Sequence, residues 1–205
     1  MSRQDDLRKQ ALARLQEFHV LMLDGHFDYG NGYHGRAYLN PHRLFRQPSL
    51  IWRLGQDLLD VVPETILADT EVVAGPLTGG ALLAHTLAGL LDGRRSLGAA
   101  PTSFAPLSLK GAEAGLRPFY RSVVQGKRVM LADDVRNTGK SFERSKAVIE
   151  EAGGQVIATV EIYDRLEPVV DLGIPNVALA EYRAPENYAA VECPLCKSGV
   201  PVTRF

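Results

Sequence analysis

Between residues 71 and 182, short apolar runs of strand length alternate with segments that have helical periodicity. The strand-like runs lie at 71–75, 100–106, 128–132, 156–163 and 177–182, and apolar helical segments lie at 81–91 and 141–152. Strands that alternate with helices need crossover connections, which make the strands parallel and place the helices on the faces of the sheet. The sequence therefore predicts an α/β fold built on a mostly parallel sheet flanked by helices.

Two helical segments and an irregular one precede this region. Residues 3–18 place leucine and alanine at helical spacing, which predicts an amphipathic helix. A second helix is predicted between Pro48 and Val62, because a proline starts it well and Pro63 ends it. Residues 27–45 are rich in Gly, Tyr, His and Asn, which is typical of loops with short strands. No stretch has the composition of a linker between domains.

Charge and hydropathy exclude several classes of protein. The 205 residues carry 23 basic and 24 acidic side chains, so no overall basic field favours nucleic acid. No apolar run approaches the roughly 20 residues of a membrane span. The first residues are charged and lack the apolar centre of a signal peptide. With 45% hydrophobic residues the chain can build a sizeable core, so we expect a cytoplasmic protein without a membrane partner.

The two cysteines stand close together near the C-terminal end, as Cys193-Pro-Leu-Cys196. Such a pair supplies two of the four ligands of a structural zinc site. The other two ligands would have to come from another subunit or from histidines that are nearby in space. The alternative is a reduced, partly buried tail, and the sequence alone favours this alternative, so no metal ligand is assigned.

The stretch LADDVRNTGKS, residues 131–141, ends like a P-loop but cannot be one. A P-loop requires glycine five residues before its Gly-Lys-Ser, and Asp134 occupies that position. The carboxylates of Asp133 and Asp134 follow an apolar strand, and the loop after them leads into a helix. Backbone N–H groups at such a helix start bind anions. The hydroxyls of Thr138 and Ser141 add hydrogen bonds, and Lys140 adds charge.

Two acids beside an anion-binding loop indicate a ligand with a phosphate at one end and hydroxyls or a metal ion nearby. A ribose 5-phosphate fits this description, because carboxylates accept hydrogen bonds from the 2- and 3-hydroxyls. The alternative is a solvated pair of aspartates at a strand end, followed by an ordinary helix start.

Residues 129–141 closely resemble the phosphoribosyl diphosphate (PRPP) binding motif of the type I phosphoribosyltransferases. The resemblance implies that the two acids bind the ribose and that the loop binds the 5-phosphate. The chain departs from the motif at Arg136, Asn137 and Lys140. The residues that the resemblance assigns to PRPP here are Asp133, Asp134, Asn137, Thr138, Gly139, Lys140 and Ser141.

Residues 72–84, VVAGPLTGGALLA, resemble the pyrophosphate loop of the same family. This loop is a strand-to-helix turn in which small residues allow backbone N–H groups to approach the diphosphate. The resemblance assigns this role to Thr78, Gly79 and Gly80. By itself such a turn is weak evidence, since glycines occur in many tight strand–helix turns.

Other segments resemble the orotate-specific members of the family. Residues 27–40 are similar to the segment that forms a hood over the base, with Asn31 and Tyr38 as base-binding candidates. The Asp-Arg-x-Glu pattern at residues 164–167 implies that Arg165 holds the orotate carboxylate, for which a planar guanidinium is suited. Lys110 falls on a lysine of the catalytic loop, but several other charged residues of that loop are missing.

The resemblance implies a single Rossmann-like domain over residues 1–205 and transfer of phosphoribose from PRPP to a nucleobase, with orotate as the favoured base. The N-terminal helices and hood are assigned to 1–65, the PRPP-binding core to 66–185 and a tail to 186–205. Mg2+ is the implied cofactor, and a homodimer is implied because the family's catalytic loop reaches a neighbouring subunit. Transfer to another base such as a purine, or a PRPP-binding regulator with little catalysis, are the alternatives.

Overall fold

The N-terminal region begins with the predicted amphipathic helix. In α1 (Arg3–Glu17), the Ser2 hydroxyl accepts a hydrogen bond from Asp5 N, and the Asp5 carboxylate accepts one from Ser2 N. This capping box satisfies two backbone donors that the helix itself leaves free. The computed structural model describes residues 2–30, 32–96, 98–109, 114–167, 170–184 and 187–205.

Short antiparallel strands follow α1 and form a small unit, residues 20–40, that we call the hood. Its strands are β1 (Leu21–Met22), β2 (Phe27–Asp28), β3 (Tyr33–Gly35) and β4 (Tyr38–Leu39). β1 pairs with β4, and β2 pairs with β3. The expectation of loops with short strands in this segment is confirmed.

Three helices connect the hood to the central sheet. They are a 3-10 helix (Pro41–Arg46), α2 (Pro48–Val61) and α3 (Glu64–Asp69). The prediction of α2 is confirmed, with Pro48 in its first turn and the extended Val62 after it. Leu54 and Leu58 of α2 are fully buried, and each side chain stabilises the fold by about 1.5–3 kcal/mol.

The core alternates strands and helices as the sequence predicts. Its elements are β5 (Val72–Pro76), α4 (Gly79–Arg94), β6 (Ser103–Leu107), α5 (Pro118–Val124), β7 (Arg128–Arg136), α6 (Lys140–Glu151), β8 (Gln155–Asp164) and β9 (Asn176–Glu181). The five strands are parallel and lie in the order β6-β5-β7-β8-β9. The predicted α/β fold with a parallel sheet is confirmed.

Side chains on the two faces of the sheet enter separate hydrophobic clusters. Met130 and Ala132 of β7 face a cluster that contains the buried residues of α1, α2 and α4. Val129 and Leu131 face a smaller cluster on the side of α5 and α6. This alternation follows from the two-residue period of a strand, and because both faces are covered, β7 is apolar from Val129 to Ala132.

Two predictions about this region are wrong in detail. We expected the strand to end at residue 132, but β7 continues to Arg136 because it pairs with β8 as far as Arg136 opposite Asp164. Its pairing with β5 ends earlier, at Ala74 opposite Leu131. Residues 118–124, which fall in none of the predicted helical segments, form α5, which starts at Pro118 and buries Val124.

The C-terminal residues pack on the hood and not on the central sheet. They form β10 (Tyr188–Ala189), a 3-10 helix (Ala190–Glu192) and α7 (Pro194–Lys197). β10 pairs with β3, so the hood sheet has the order β10-β3-β2. Within the described part of the chain, no helix has both the length and the apolar character that crossing a membrane would require.

Candidate active site

A cleft of about 1070 Å³ opens between the hood and the carboxyl ends of the central strands. Ligands of open parallel sheets bind at this edge. Several side chains predicted from the sequence line it together with hood residues. The predicted residues in its wall are Tyr38, Thr78, Gly79, Asp133, Asp134, Asn137, Ser141 and Arg165.

The turn between β5 and α4 lies directly against the end of β7. A Cβ atom at Gly79 would lie 2.7 Å from Cγ of Asp134, and one at Gly80 would lie 2.7 Å from the carbonyl oxygen of Ala132. At Gly80 the close atoms belong to a proline ring and to the backbone, so glycine is required there, whereas a side chain at position 79 would have to displace the Asp134 carboxylate. The Leu77–Thr78 peptide bond in this turn is cis. The glycines therefore bring the backbone of the turn next to the two acids.

Asp133 and Asp134 are held by the backbone that follows them. Oδ1 of Asp133 accepts a hydrogen bond from Asp134 N at 3.0 Å, and Oδ1 of Asp134 accepts one from Val135 N at 2.9 Å. Only 8% of Asp133 is exposed. Burial, and next the charge of Asp134, raise the pKa of Asp133 to about 8, and burial also raises the pKa of Asp134. A ligand with hydroxyl donors or positive charge would favour their ionised form.

The loop after β7 forms the start of α6, a helix of 12 residues. Gly139 precedes the helix with φ +76, a left-handed conformation that favours glycine. Asn137 and Ser141 line the cleft. Thr138 and Lys140 are exposed and lie outside the lining, and the Thr138 carbonyl accepts a hydrogen bond from Val170 N.

Two of the three departures from the family motif in this loop, Arg136 and Asn137, have structural explanations, and nothing in the structure explains Lys140. The mostly buried Arg136 lies 3.5 Å from the Asp164 carboxylate across β7 and β8. The family motif has an aliphatic residue at this position. Arginine can take its place here because the Asp164 carboxylate pairs with the guanidinium charge. Asn137 accepts a hydrogen bond from the Arg165 guanidinium at 3.2 Å. This contact links the loop to the residue that the sequence analysis assigned to the base.

Arg165 forms part of the cleft wall, together with Tyr29 and Tyr38 of the hood. Its guanidinium is also 3.8 Å from the Glu167 carboxylate, which is a loose ion pair. Tyr38 stacks on Phe205 with ring centroids 4.5 Å apart. The Tyr29 hydroxyl donates to the carbonyl oxygen of Ala37 at 2.7 Å. Arg165 and the tyrosines give this wall both an aromatic surface and a cation.

Comparison with known proteins identifies this arrangement. No protein-family model matches the chain. The orotate phosphoribosyltransferase of Erythrobacter litoralis is 31% identical over 192 residues, which cover 93% of this chain and 94% of that protein. The chain belongs to the orotate phosphoribosyltransferase family.

Solved structures agree with the family assignment. The crystal structure of orotate phosphoribosyltransferase from Aeropyrum pernix has a TM-score of 0.64 and 25% identity, and the match covers 82% of this chain and 92% of that one. Adenine phosphoribosyltransferase from Rhodothermus marinus shares the fold, with a TM-score of 0.60, 20% identity and coverage of 85% and 99%. The type I phosphoribosyltransferase fold is thus shown, and the fold is common to enzymes named for different bases.

Two residues assigned from the family resemblance, Asn31 and Lys110, lie outside the described residues. Their roles remain predictions. Conversely, the sequence analysis missed cleft residues that the structure brings in from distant segments, namely Tyr29, Tyr33, His42, Tyr163 and Asn187. Tyr29 and Tyr33 lie in the segment 27–40 that resembles the family's hood, although they were not singled out there, and Tyr163 and Asn187 belong to no motif.

A substitution at Gly80 tests the close packing of the turn. In Gly80→Ala the new Cβ would lie 2.5 Å from Cδ of Pro76, so we expect a loss of about 1–3 kcal/mol in the free energy of unfolding, measured in urea. The matched control is Gly89→Ala in the same helix, where nothing lies within 4 Å. It is expected to stabilise the protein by about 0.5–1 kcal/mol. Equal stability of the two variants would contradict the observed packing.

The buried acid pair also predicts a pH effect. Because the folded state raises the pKa of Asp133 from 3.8 to about 8, protonation favours folding, and stability is lost as the pH rises towards 8. Asp133→Asn cannot ionise and keeps an oxygen acceptor. Its free energy of unfolding is expected to exceed that of the unmodified protein by about 1–3 kcal/mol near pH 8. The gain should shrink towards pH 4 in urea titrations, and a constant difference would contradict this explanation.

Proposed function

We propose that the chain transfers the phosphoribosyl group of PRPP to orotate and releases pyrophosphate. The observation that carries this proposal is the shared cleft, whose lining includes the acid pair, the β5–α4 turn and Arg165. These surfaces match two ligands: a ribose that carries a phosphate at one end and a diphosphate at the other, and a base that carries a carboxylate. The names of the similar proteins support this choice of substrates.

PRPP fits the sheet side of the cleft. The ribose hydroxyls donate to the Asp133 and Asp134 carboxylates, and the 5-phosphate accepts from the backbone N–H groups at the start of α6 and from the Ser141 hydroxyl. The diphosphate lies at the turn formed by Thr78, Gly79 and Gly80. Lys140 is exposed and does not line the cleft, so it acts on the phosphate only through its charge.

Orotate fits the hood side of the cleft. Its carboxylate pairs with the Arg165 guanidinium, and the tyrosines of the hood contact the flat ring. The hydrogen bond from Arg165 to Asn137 holds the Arg165 side chain in position before the base binds. This arrangement orients orotate towards the ribose, which lies at the acid pair.

In the reaction, the bond between C1 of the ribose and the pyrophosphate oxygen breaks, and its electron pair leaves with pyrophosphate. A ring nitrogen of orotate forms the new bond to C1 and loses its proton to solvent. Positive charge develops on the sugar, and Asp133 and Asp134 in their ionised form stabilise it. The turn at residues 78–80 and the predicted Lys110 stabilise the departing diphosphate.

Mg2+ is proposed as the cofactor. The carboxylate oxygens beside the turn are hard donors of the kind that this ion prefers, and Mg2+ keeps most of its contacts with water and substrate phosphates. When bound, it neutralises charge on the diphosphate. We also propose a homodimer, by analogy with the family's shared catalytic loop.

Two other functions make different predictions. A phosphoribosyltransferase for a purine would keep the acid pair and the turn but would not need Arg165 to meet a carboxylate. A PRPP-binding regulator would keep PRPP affinity without turnover, and the missing charged residues of the catalytic loop motivate this alternative. The alternatives differ in measurable ways.

The experiment that tests the proposal follows the loss of orotate absorbance with PRPP and Mg2+. Adenine, guanine, hypoxanthine and uracil serve as parallel substrates. Turnover with orotate alone is expected. Turnover with a purine only would establish the first alternative, and PRPP binding in a calorimeter without turnover on any base would establish the second.

A further inference from the structure

Four potential metal ligands from the hood and the tail converge at one point outside the active-site cleft. His26 and His34 come from the hood. Cys193 directly precedes α7, and Cys196 lies within it. One ligand atom from each residue lies within 4.8 Å of all the others. His26, His34 and Cys193 are buried, and Cys196 is exposed. Among the described residues this is the one such group.

The distances between these atoms approach those of a tetrahedral zinc site. Typical bonds of about 2.05 Å to nitrogen and about 2.3 Å to sulfur give tetrahedral edges of about 3.3 Å between nitrogens and about 3.6 Å between nitrogen and sulfur. Here His26 Nε2 is 3.0 Å from His34 Nδ1 and lies 3.5 Å and 3.6 Å from the sulfurs of Cys193 and Cys196. Cys196 Sγ is 3.3 Å from His34 Nδ1.

The second nitrogen of each histidine faces an acceptor, as in known metal sites. His26 Nδ1 lies 2.8 Å from the carbonyl oxygen of Val200, so it carries the proton and leaves the Nε2 lone pair free. His34 Nε2 faces the Asp28 carboxylate at 3.9 Å. These partners orient both rings so that their free nitrogens point to the common centre.

We propose that His26, His34, Cys193 and Cys196 bind one Zn2+ ion, which fastens the tail to the hood. Two sulfurs and two nitrogens in a tetrahedral arrangement favour zinc among the common metals. No position is left for substrate, so the ion is structural. The cysteine pair, for which the sequence offered only half a site, thereby gains its second half from residues more than 150 positions away.

The position of this site explains what the ion does. The hood consists of strands of two or three residues, which bury too little surface to be stable alone. His34 belongs to β3, next to Tyr33 in the cleft wall. The ion would hold β3 and α7 together and so keep the hood tyrosines over the cleft.

The first test measures metal in the full chain without any substrate, so its result is independent of the proposed transferase activity. Protein purified under reducing conditions from zinc-supplemented medium is expected to hold about one Zn2+ per chain by mass spectrometry of metals. After chelation, Co2+ should produce the intense visible bands of a tetrahedral ion together with thiolate-to-cobalt absorption. Absence of both zinc and the Co2+ spectrum would overturn the proposal.

Variants locate the site. Cys196→Ser removes the exposed ligand with little change in packing, and it is expected to weaken Zn2+ affinity at least about 100-fold and to abolish thiolate absorption from this position. His85→Gln, an exposed histidine on α4, is the matched control and should keep full zinc content. Unchanged zinc affinity in Cys196→Ser would contradict the assignment. If this variant does not fold, the Co2+ titration of the unmodified chain decides alone.

Discussion

Asp134→Asn is expected to lower kcat/KM for PRPP by about 100- to 1000-fold, the loss typical of removing one charged group that acts on the transition state. The Asp134 carboxylate lies in the cleft wall, beside the glycine turn. The substitution keeps the shape of the side chain and one oxygen acceptor for Val135 N. It removes the negative charge that opposes the positive charge on the ribose. Steady-state rates at several PRPP concentrations measure the effect.

The matched control for this substitution is Asp6→Asn, which neutralises an exposed aspartate in the first turn of α1. Its rate should equal that of the unmodified chain. A fall of less than tenfold in Asp134→Asn, with normal folding, would show that the acid pair does not act on the sugar. Retained PRPP binding with lost turnover would place the charge effect in the transition state.

Arg165→Gln is expected to raise KM for orotate by about 100-fold or more, because truncating one partner of a buried charged pair costs about 2–5 kcal/mol. PRPP affinity should change much less, since the acid pair and the backbone N–H groups of the phosphate loop remain in place. The loss of the hydrogen bond to Asn137 adds a smaller effect on the loop. Initial rates at varied orotate, together with calorimetric PRPP titrations, separate the two substrates.

Arg183→Gln is the control for Arg165→Gln. Arg183 is near in space, since it donates to the carbonyl oxygen of Leu166, but it lies outside the lining of the cleft. Its kinetics should be normal. If Arg165→Gln weakened PRPP binding and raised KM for orotate by the same factor, Arg165 would support the phosphate loop and would not bind the base. The choice of orotate would then lose its main support.

The parallel sheet was predictable because its evidence is local. Each strand carries its own apolar run, and Asp133, Gly79 and Ser141 occur in short motifs that a single segment displays. The end of β7 was not predictable in this way, because its length depends on pairing with β8, a separate strand. Similarly, α5 has only 7 residues, about two turns, which is too short for a helical period to reveal that Val124 is buried.

The hood side of the site was less predictable for the same physical reason. Asn187 reaches the cleft from the tail, and Tyr29 reaches it from a loop, so no spacing in the sequence relates them. The cysteine pair was visible as half of a ligand set. Its histidine partners could be found only when β3 and α7 were seen side by side.

The pairing of β3 with β10 has a consequence for how the chain folds. His34 lies opposite Tyr188 in this ladder, so the contact closes a loop of about 150 residues, whereas each strand–helix–strand unit of the core closes a far shorter one. The core can assemble while synthesis continues, but the hood sheet cannot be completed before residues 188–189 have left the ribosome. We therefore expect a folding intermediate in which the central sheet is formed and the hood is not yet paired with β10.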